Sequence, residues 1–333
     1  MRKDNFNSSL NYSNITQIKQ AAIKGLLSYY NDPNNKMPYT TVYKTEKYWN
    51  LVGYSLRYTA ISHIGISKWL AYHPQDENQL PELWSRILNE LPKINDIGDI
   101  SLCLWAGCEG TLDRLIELIL DKFISIWREQ KDKCNSVELG WVLKACLMVC
   151  DVMPDSSQKV DSILKDSYVR LSNNYNPMAH LFCRHKRKGF KQKVSGQIAC
   201  FADQVYPIVA MSHYGKRFDD KKAKMMAAEV VDKICEYQGR QGQWMWHYDV
   251  THNRLCEEYP VFSVHQHAMA PMAIFASDQV NGQNHRQQIA LGLKWLFGNN
   301  ELGENLVLPE QGIIWRDIER DEPEKWSRNV KGL

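Results

Sequence analysis

Residues 238–271 read QGRQGQWMWHYDVTHNRLCEEYPVFSVHQHAMAP. The stretch holds two tryptophans, four histidines, two tyrosines, one aspartate and two glutamates. No other window of this length is so dense in side chains that stack, titrate and hydrogen-bond. Its edges carry the fold signal. On one side lies an apolar run, Phe201-Ala-Asp-Gln-Val-Tyr-Pro-Ile-Val-Ala-Met-Ser, followed by an amphipathic run and then Gln241-Gly-Gln-Trp244. On the other side lies a second apolar run, Phe262-Ser-Val-His-Gln-His-Ala-Met-Ala-Pro-Met-Ala, then an amphipathic run and Gln311-Gly-Ile-Ile-Trp315. The unit is an inner helix, an outer helix and a Q-G-x(1–2)-W loop. Gly242 and Gly312 are 70 residues apart, which fits a repeated helical hairpin with long connections.

The same alternation runs outward through the chain. Asn14 caps a helix to Asn31, with Ile15, Ile18, Ala22, Leu26 and Tyr29 on one stripe. After a polar loop over Asn34–Lys47, the pattern predicts a long helix from Tyr48 to His73 and a third from Leu80 to Leu91. A fourth begins at Asp99. An amphipathic helix follows from Thr111 to Trp127. Val137–Met153 is apolar all round, as an inner helix must be. Lys159–Leu171 is amphipathic again. Ser172–Gly196 is polar, carries Pro177 and the cluster Arg184, His185, Lys186, Arg187, Lys188, and reads as a long basic loop; a solvated loop is the default there, and a phosphate or acidic-polymer site the alternative. Helices are predicted over 198–213, 220–238, 263–275 and 286–297. No strand alternation stands out. The expected fold is all-α: a single domain over 1–333, built as an α/α toroid of about eleven or twelve helices.

Paired inner and outer helices joined by Gln-x(3)-Gly-x-Trp resemble the α/α-toroid superfamily of terpenoid cyclases, protein prenyltransferases and six-hairpin glycosidases. Gln238-Gly-Arg-Gln-Gly-Gln-Trp244 is similar to the QW motif of the terpenoid cyclases, and the resemblance implies a structural clasp between helix ends. The wider string GQWMWHYD…EEYPVFSVHQHAMAPMA resembles a bacterial toroid family whose members often sit beside polysaccharide-biosynthesis genes.

Composition narrows the function classes. The 333 residues carry 41 basic and 38 acidic side chains, too near balance for a global pull towards nucleic acid. The N-terminus lacks an apolar leader core, and no uncharged apolar run is long enough to span a bilayer. Nine cysteines without a C-x-x-C pair read as reduced, buried thiols of a cytoplasmic protein. The sequence has no Walker A, G-x-G-x-x-G, H-E-x-x-H or G-x-S-x-G string, and Cys103 and Cys108 read as packing. The Asp-x-Asp-Asp acid of class II cyclases is absent. Asp219-Asp220 lacks the third aspartate of a class I metal motif and reads as a helix start. No metal or cofactor is expected.

The loop over Gly242–Tyr259 is expected to overhang the funnel of the toroid. Hydrolysis of a sugar needs two carboxylates, one of them protonated. Asp249 with Glu257 or Glu258 offers a pair, and Asp203, within an apolar helix, offers a third acid. Gln204 beside it reads either as a substrate contact or as a brace for helix ends. Elimination or epimerisation would draw on His247, Tyr248, Tyr259 and His265 as acid and base, with Arg254 against a uronate. His265 and His267 read equally as core histidines. Trp246 suits a stacking platform, whereas Trp244 belongs to the clasp. Three readings follow: a carbohydrate-processing hydrolase, lyase or epimerase acting on a small-molecule or oligosaccharide substrate, with Asp249, Glu258, His247, His265 and Asp203 as catalytic candidates; an isoprenoid-binding cyclase-like protein with a greasy chamber; and a non-catalytic scaffold or glycan-binding toroid.

Overall fold

The computed structural model describes residues 12–30, 40–45, 48–53, 55–79, 83–110, 113–185 and 198–320. Its helices in chain order are α1 (Tyr12–Tyr30), α2 (Leu56–Leu70), α3 (Trp84–Glu90), α4 (Ile97–Glu109), α5 (Asp113–Gln130), α6 (Ser136–Val152), α7 (Ser157–Asn174), α8 (Ala202–Phe218), α9 (Lys221–Glu236), α10 (Ala270–Asn281) and α11 (Arg286–Trp295). Helices α2, α4, α6, α8 and α10 pack side by side in that order as an inner layer. Helices α5, α7 and α9 lie outside them, each against its own hairpin partner. The alternation of apolar and amphipathic segments is thus an α/α toroid.

Burial explains the alternation. Inner helix α4 buries Ile97, Gly98 and every residue from Ile100 to Cys108. Outer helix α9 buries one stripe, Ala223, Met226, Ala227, Val230, Val231 and Ile234, and turns Lys221 and Lys222 outward. Small residues let inner helices approach. A Cβ on Gly140 of α6 would lie 2.9 Å from the Tyr206 backbone of α8, so only glycine fits at that crossing.

The Q-G-W loops act as clasps. Gly242, at φ +103°, sits against α11, where a Cβ would meet the Leu291 carbonyl at 2.2 Å. Gln238 reaches the same helix, its Nε2 donating to the Gln288 carbonyl at 2.9 Å and to the Gly242 carbonyl at 3.1 Å. Gly312, at φ +69°, makes the equivalent approach to α1, where a Cβ would lie 2.6 Å from Gly25 N. The second clasp therefore joins the C-terminal region to the first helix. The tryptophans diverge: Trp244 is fully buried, whereas Trp315 is 42% exposed.

Several sequence expectations are corrected. The helix predicted from Tyr48 starts only at Leu56, capped by the Ser55 hydroxyl. Tyr48–Val52 is instead strand β2, paired antiparallel with β1 (Thr40–Thr45). Both segments are rich in β-branched and aromatic residues, and Gly53 at φ 71° separates them from the helix. The loop expected from Ser172 starts later. Helix α7 continues to Asn174, and β3 (Tyr175–Asn176) pairs with β4 (Leu181–Phe182). Positions 186–197, the rest of that basic stretch, lie outside the described residues, as do positions 321–333. Short strands occur where none was expected: β5 (Ile198–Cys200), β6 (His247–Asp249) and β7 (Arg254–Glu257) form a three-stranded sheet. Val261–Phe262 (β8), Val307–Leu308 (β9), Ile313–Ile314 (β10) and Asp317–Ile318 (β11) complete two more ribbons, β9–β10 and β8–β11. Two- to four-residue strands are too short to show a period of two.

All nine cysteines are free. No helix among the described residues is long and apolar enough to cross a membrane, and none of their His, Cys, Asp and Glu side chains cluster to hold a metal.

One inner-layer residue carries a stability prediction. Lys144 of α6 is 5% exposed. Its Nζ donates only to the Met148 Sδ, at 2.9 Å, and lies 5.4 Å from the Trp105 ring. Burial pulls its pKa down to about 8, against the partial opposition of Glu109. Below that pH the folded state holds an ammonium that the unfolded chain solvates better, and stability rises as pH increases from about 8 towards 10.5. Lys144→Met should therefore stabilise the protein at pH 7 by ~2 kcal/mol, and by far less near pH 10.5. Denaturant midpoints at the two pH values check this.

Candidate functional site

The N-termini of the inner helices converge on one end of the barrel, and a cavity of about 660 Å³ opens there. Its wall draws Ser55 and Arg57 from the start of α2, Asn95 and Asp99 from α4, Val137 and Trp141 from α6, Ala202 and Tyr206 from α8, and Met269 from just before α10. Helix starts favour acidic residues, because their free N–H groups and dipoles attract negative charge. Asp96 is the N-cap of α4, accepting from Asp99 N at 2.9 Å. Glu138 closes the capping box of α6 with Asn135. Capping thus places carboxylates at the inner-helix starts, next to cavity-lining Asn95, Asp99 and Val137.

These acids surround one guanidinium. Arg57 donates from Nη2 to Asp96 at 2.8 Å and from Nε to Asp99. It also lies 5.4 Å from the Trp141 ring, which Tyr206 meets edge-on at 5.0 Å. The Asp99 side chain is 28% exposed. Burial raises its pKa, and the bond from Arg57 only partly offsets this. Burial also raises that of Glu138, against the hydrogen bond from Asn135 N. At the rim Lys93 is paired with Glu90 at 3.1 Å. The cavity combines a charged entrance, a carboxyl whose proton affinity burial raises and an aromatic wall.

The residues singled out in the sequence fall into three groups. Trp246, His247 and Glu257 come together: His247 Nδ1 lies 2.7 Å from Glu257 Oε1, and Trp246 stacks on the His247 ring at 4.3 Å. A second group is engaged in local ties. Asp249 accepts from His252 at 2.7 Å and from Arg254 at 3.1 Å. Despite burial, those bonds keep its pKa below the usual aspartate value. Tyr259 donates to Glu301 at 3.1 Å, a carboxylate that also receives Trp295 Nε1 and Gln243 Nε2. Glu258 is exposed and 3.7 Å from Arg320.

The third group is sealed. Tyr248 is fully buried and donates to the Met245 carbonyl. Gln204 clamps Phe182 with both ends of its amide, at 2.8 and 2.9 Å. His265 is 5% exposed, 3.5 Å from the Trp244 carbonyl, and burial lowers its pKa to about 3. His267 is half-buried on the same π-helical turn, His265–Met269. Asp203 lies in the first turn of α8, with one oxygen accepting from Cys200 N at 2.9 Å and the other buried without a hydrogen-bond partner among the described residues. Burial raises its pKa.

Sequence reading did not single out Arg57, Asp96, Asp99, Glu138, Trp141 or Tyr206 as site residues. A usable signal existed: Asn95-Asp-Ile-Gly-Asp99 and Asn135-Ser-Val-Glu138 each put acids immediately before an all-apolar inner helix.

Burial of neutral histidines predicts a loss of stability in acid. His213 of α8 is held down to a pKa of about 3 by burial and by Lys144, as His265 is by burial. The unfolded chain takes up protons at these sites below its value of 6.5 while the folded chain does not. Stability should therefore fall steadily as pH drops from 6.5 towards 3. Urea midpoints across this range check the trend, and His213→Leu should flatten it.

No family model matches the chain, and no curated protein matches it. Solved structures do. Unsaturated glucuronyl hydrolase from Streptococcus agalactiae superposes with a TM-score of 0.62 at 12% identity, over 96% of this chain and 88% of that one. An aspartate-to-asparagine variant of that enzyme complexed with dGlcA-GalNAc6S superposes with a TM-score of 0.58 at 12% identity, over 86% and 78%. The chain shares the α/α-toroid fold of these structures.

Proposed function

We propose that the protein is a carbohydrate-processing enzyme of the glycoside-hydrolase type, acting on an oligosaccharide or glycoconjugate in the cavity at the inner-helix N-termini. The observation that carries this reading is Asp99: a carboxyl on the wall of an open cavity, with raised proton affinity, beside a Trp141–Tyr206 wall suited to the face of a sugar ring. Asp99 holds the proton for the leaving glycosidic oxygen. Asp96, on the other arm of Arg57, supplies the second carboxylate that stabilises the cationic sugar or activates water. Arg57 fixes both acids and leaves no excess positive charge between them.

An isoprenoid chamber would be greasy and closed. The wall here carries Arg57, Glu90, Lys93 and Asp99, which favours a polar, hydroxylated ligand. The solved neighbours of the same fold are named as unsaturated glucuronyl hydrolases, which supports the same class without fixing the substrate. The direct test is release of reducing ends from a panel of neutral, amino and uronate oligosaccharides. Turnover of at least one series, lost in Asp99→Asn, is the expected result; no turnover of any series would reject the reading.

A further inference from the structure

The ring-rich rim beside the cavity takes no part in the chemistry above. Trp246 is half-buried, stacked on His247 and met edge-on by Phe262 at 4.8 Å, so its plane is fixed. His247 and Glu257 are bonded to each other, and their side chains are 28% and 32% exposed. Two links tie the backbone of this group to cavity-lining segments. The Trp246 carbonyl accepts from Phe201 N at 2.8 Å, one residue before cavity-lining Ala202. Phe262 leads through the π-helical turn into Met269, another cavity-lining residue.

We infer that Trp246, His247 and Glu257 form an extension subsite that binds a further sugar unit of a chain whose end lies in the cavity. The inference rests on the carbohydrate reading of the cavity and adds the chain length of its ligand. The chemistry fits a sugar. An immobilised indole offers C–H stacking at little entropic cost. The imidazole is oriented by its bond to Glu257, and His247 Nε2 and the second Glu257 oxygen offer a donor or acceptor pair for neighbouring hydroxyls. A cavity of about 660 Å³ accommodates a small ligand, so a longer chain must leave over a rim. This is the aromatic rim beside its α8–α10 wall.

The test is isothermal titration of the Asp99→Asn protein with cello-, chito- and chondroitin oligosaccharides, each as disaccharide and hexasaccharide. In at least one series the hexasaccharide should bind more tightly than the disaccharide. Trp246→Ala should remove that gain, about tenfold in affinity, and leave disaccharide binding unchanged. Glu257→Gln, on the surface and unable to hollow the core, should reduce the gain in the same direction. The inference is overturned if no series binds, if no series gains with length, if the gain survives both substitutions, or if Trp246→Ala weakens disaccharide and hexasaccharide equally. Because binding is measured without turnover, a length-dependent series that the native protein never cleaves would reject the hydrolase assignment and leave the subsite standing.

Discussion

Asp99→Asn is expected to lower turnover by ~10²–10⁴-fold, the usual worth of a positioned proton donor, with the fold intact. The substitution keeps the side-chain volume. It leaves Arg57 its bond to Asp96 at 2.8 Å, and a partly exposed ion pair is worth about 0–1 kcal/mol. Loss of rate without loss of stability thus separates chemistry from structure. The pH dependence adds an independent check. Burial raises the pKa of Asp99, and the reaction needs its protonated form. The rate should therefore hold below that pKa and fall as pH rises through it. In Asp99→Asn the residual rate should lose this limb. Asp96→Asn is a useful companion, because asparagine caps a helix as well as aspartate does. A fall in rate there reports on charge and not on α4.

Trp244→Ala should be the most damaging structural substitution, costing about 3–5 kcal/mol. The indole is fully buried. It packs on Phe201 at 6.1 Å between centroids. A Cβ on Gly292 of α11 would lie 2.5 Å from its Nε1. Its backbone is tied as well, with N–H to Gln266 Oε1 at 3.3 Å. Removing the ring empties the junction where α8, α11 and the clasp loop meet. A midpoint shift in urea with an unchanged slope is the expected signature. A change under about 1 kcal/mol would mean that Gln238 and Gly242 hold the clasp without the ring. Trp315, the counterpart in the second clasp, is exposed, and its loss should matter far less.

The architecture was legible because it is written in long periodic segments. Inner helices such as α6 are apolar all round, and outer ones such as α5 carry a stripe. Gly242 and Gly312 marked both clasps, since each has the positive φ and the close backbone approach that glycine permits. What failed at the N-terminal side was the period between Tyr48 and His73, where a β-ribbon precedes α2 without any break in hydrophobicity.

The site was only partly legible, for a physical reason. Asp96 and Glu138 serve as helix caps, so locally they look like hundreds of structural acids. Only the convergence of inner-helix starts brings them beside a cavity lined by Arg57 and Asp99, and convergence is a tertiary fact. The density of functional groups in 238–271 was visible at once. Much of it is spent on ties such as Asp249–Arg254 and Tyr259–Glu301. Local sequence does not reveal which carboxylates have partners. Trp246 and His247 kept the exposure that a binding role needs.

The most direct test of the account is the crystal structure of Asp99→Asn soaked with an oligosaccharide drawn from the turnover panel. The account predicts a sugar ring inside the cavity, against Trp141 and Tyr206, with its glycosidic oxygen within hydrogen-bonding distance of the side chain at position 99. Sugar bound only outside the cavity, or at the opposite end of the barrel, would contradict it.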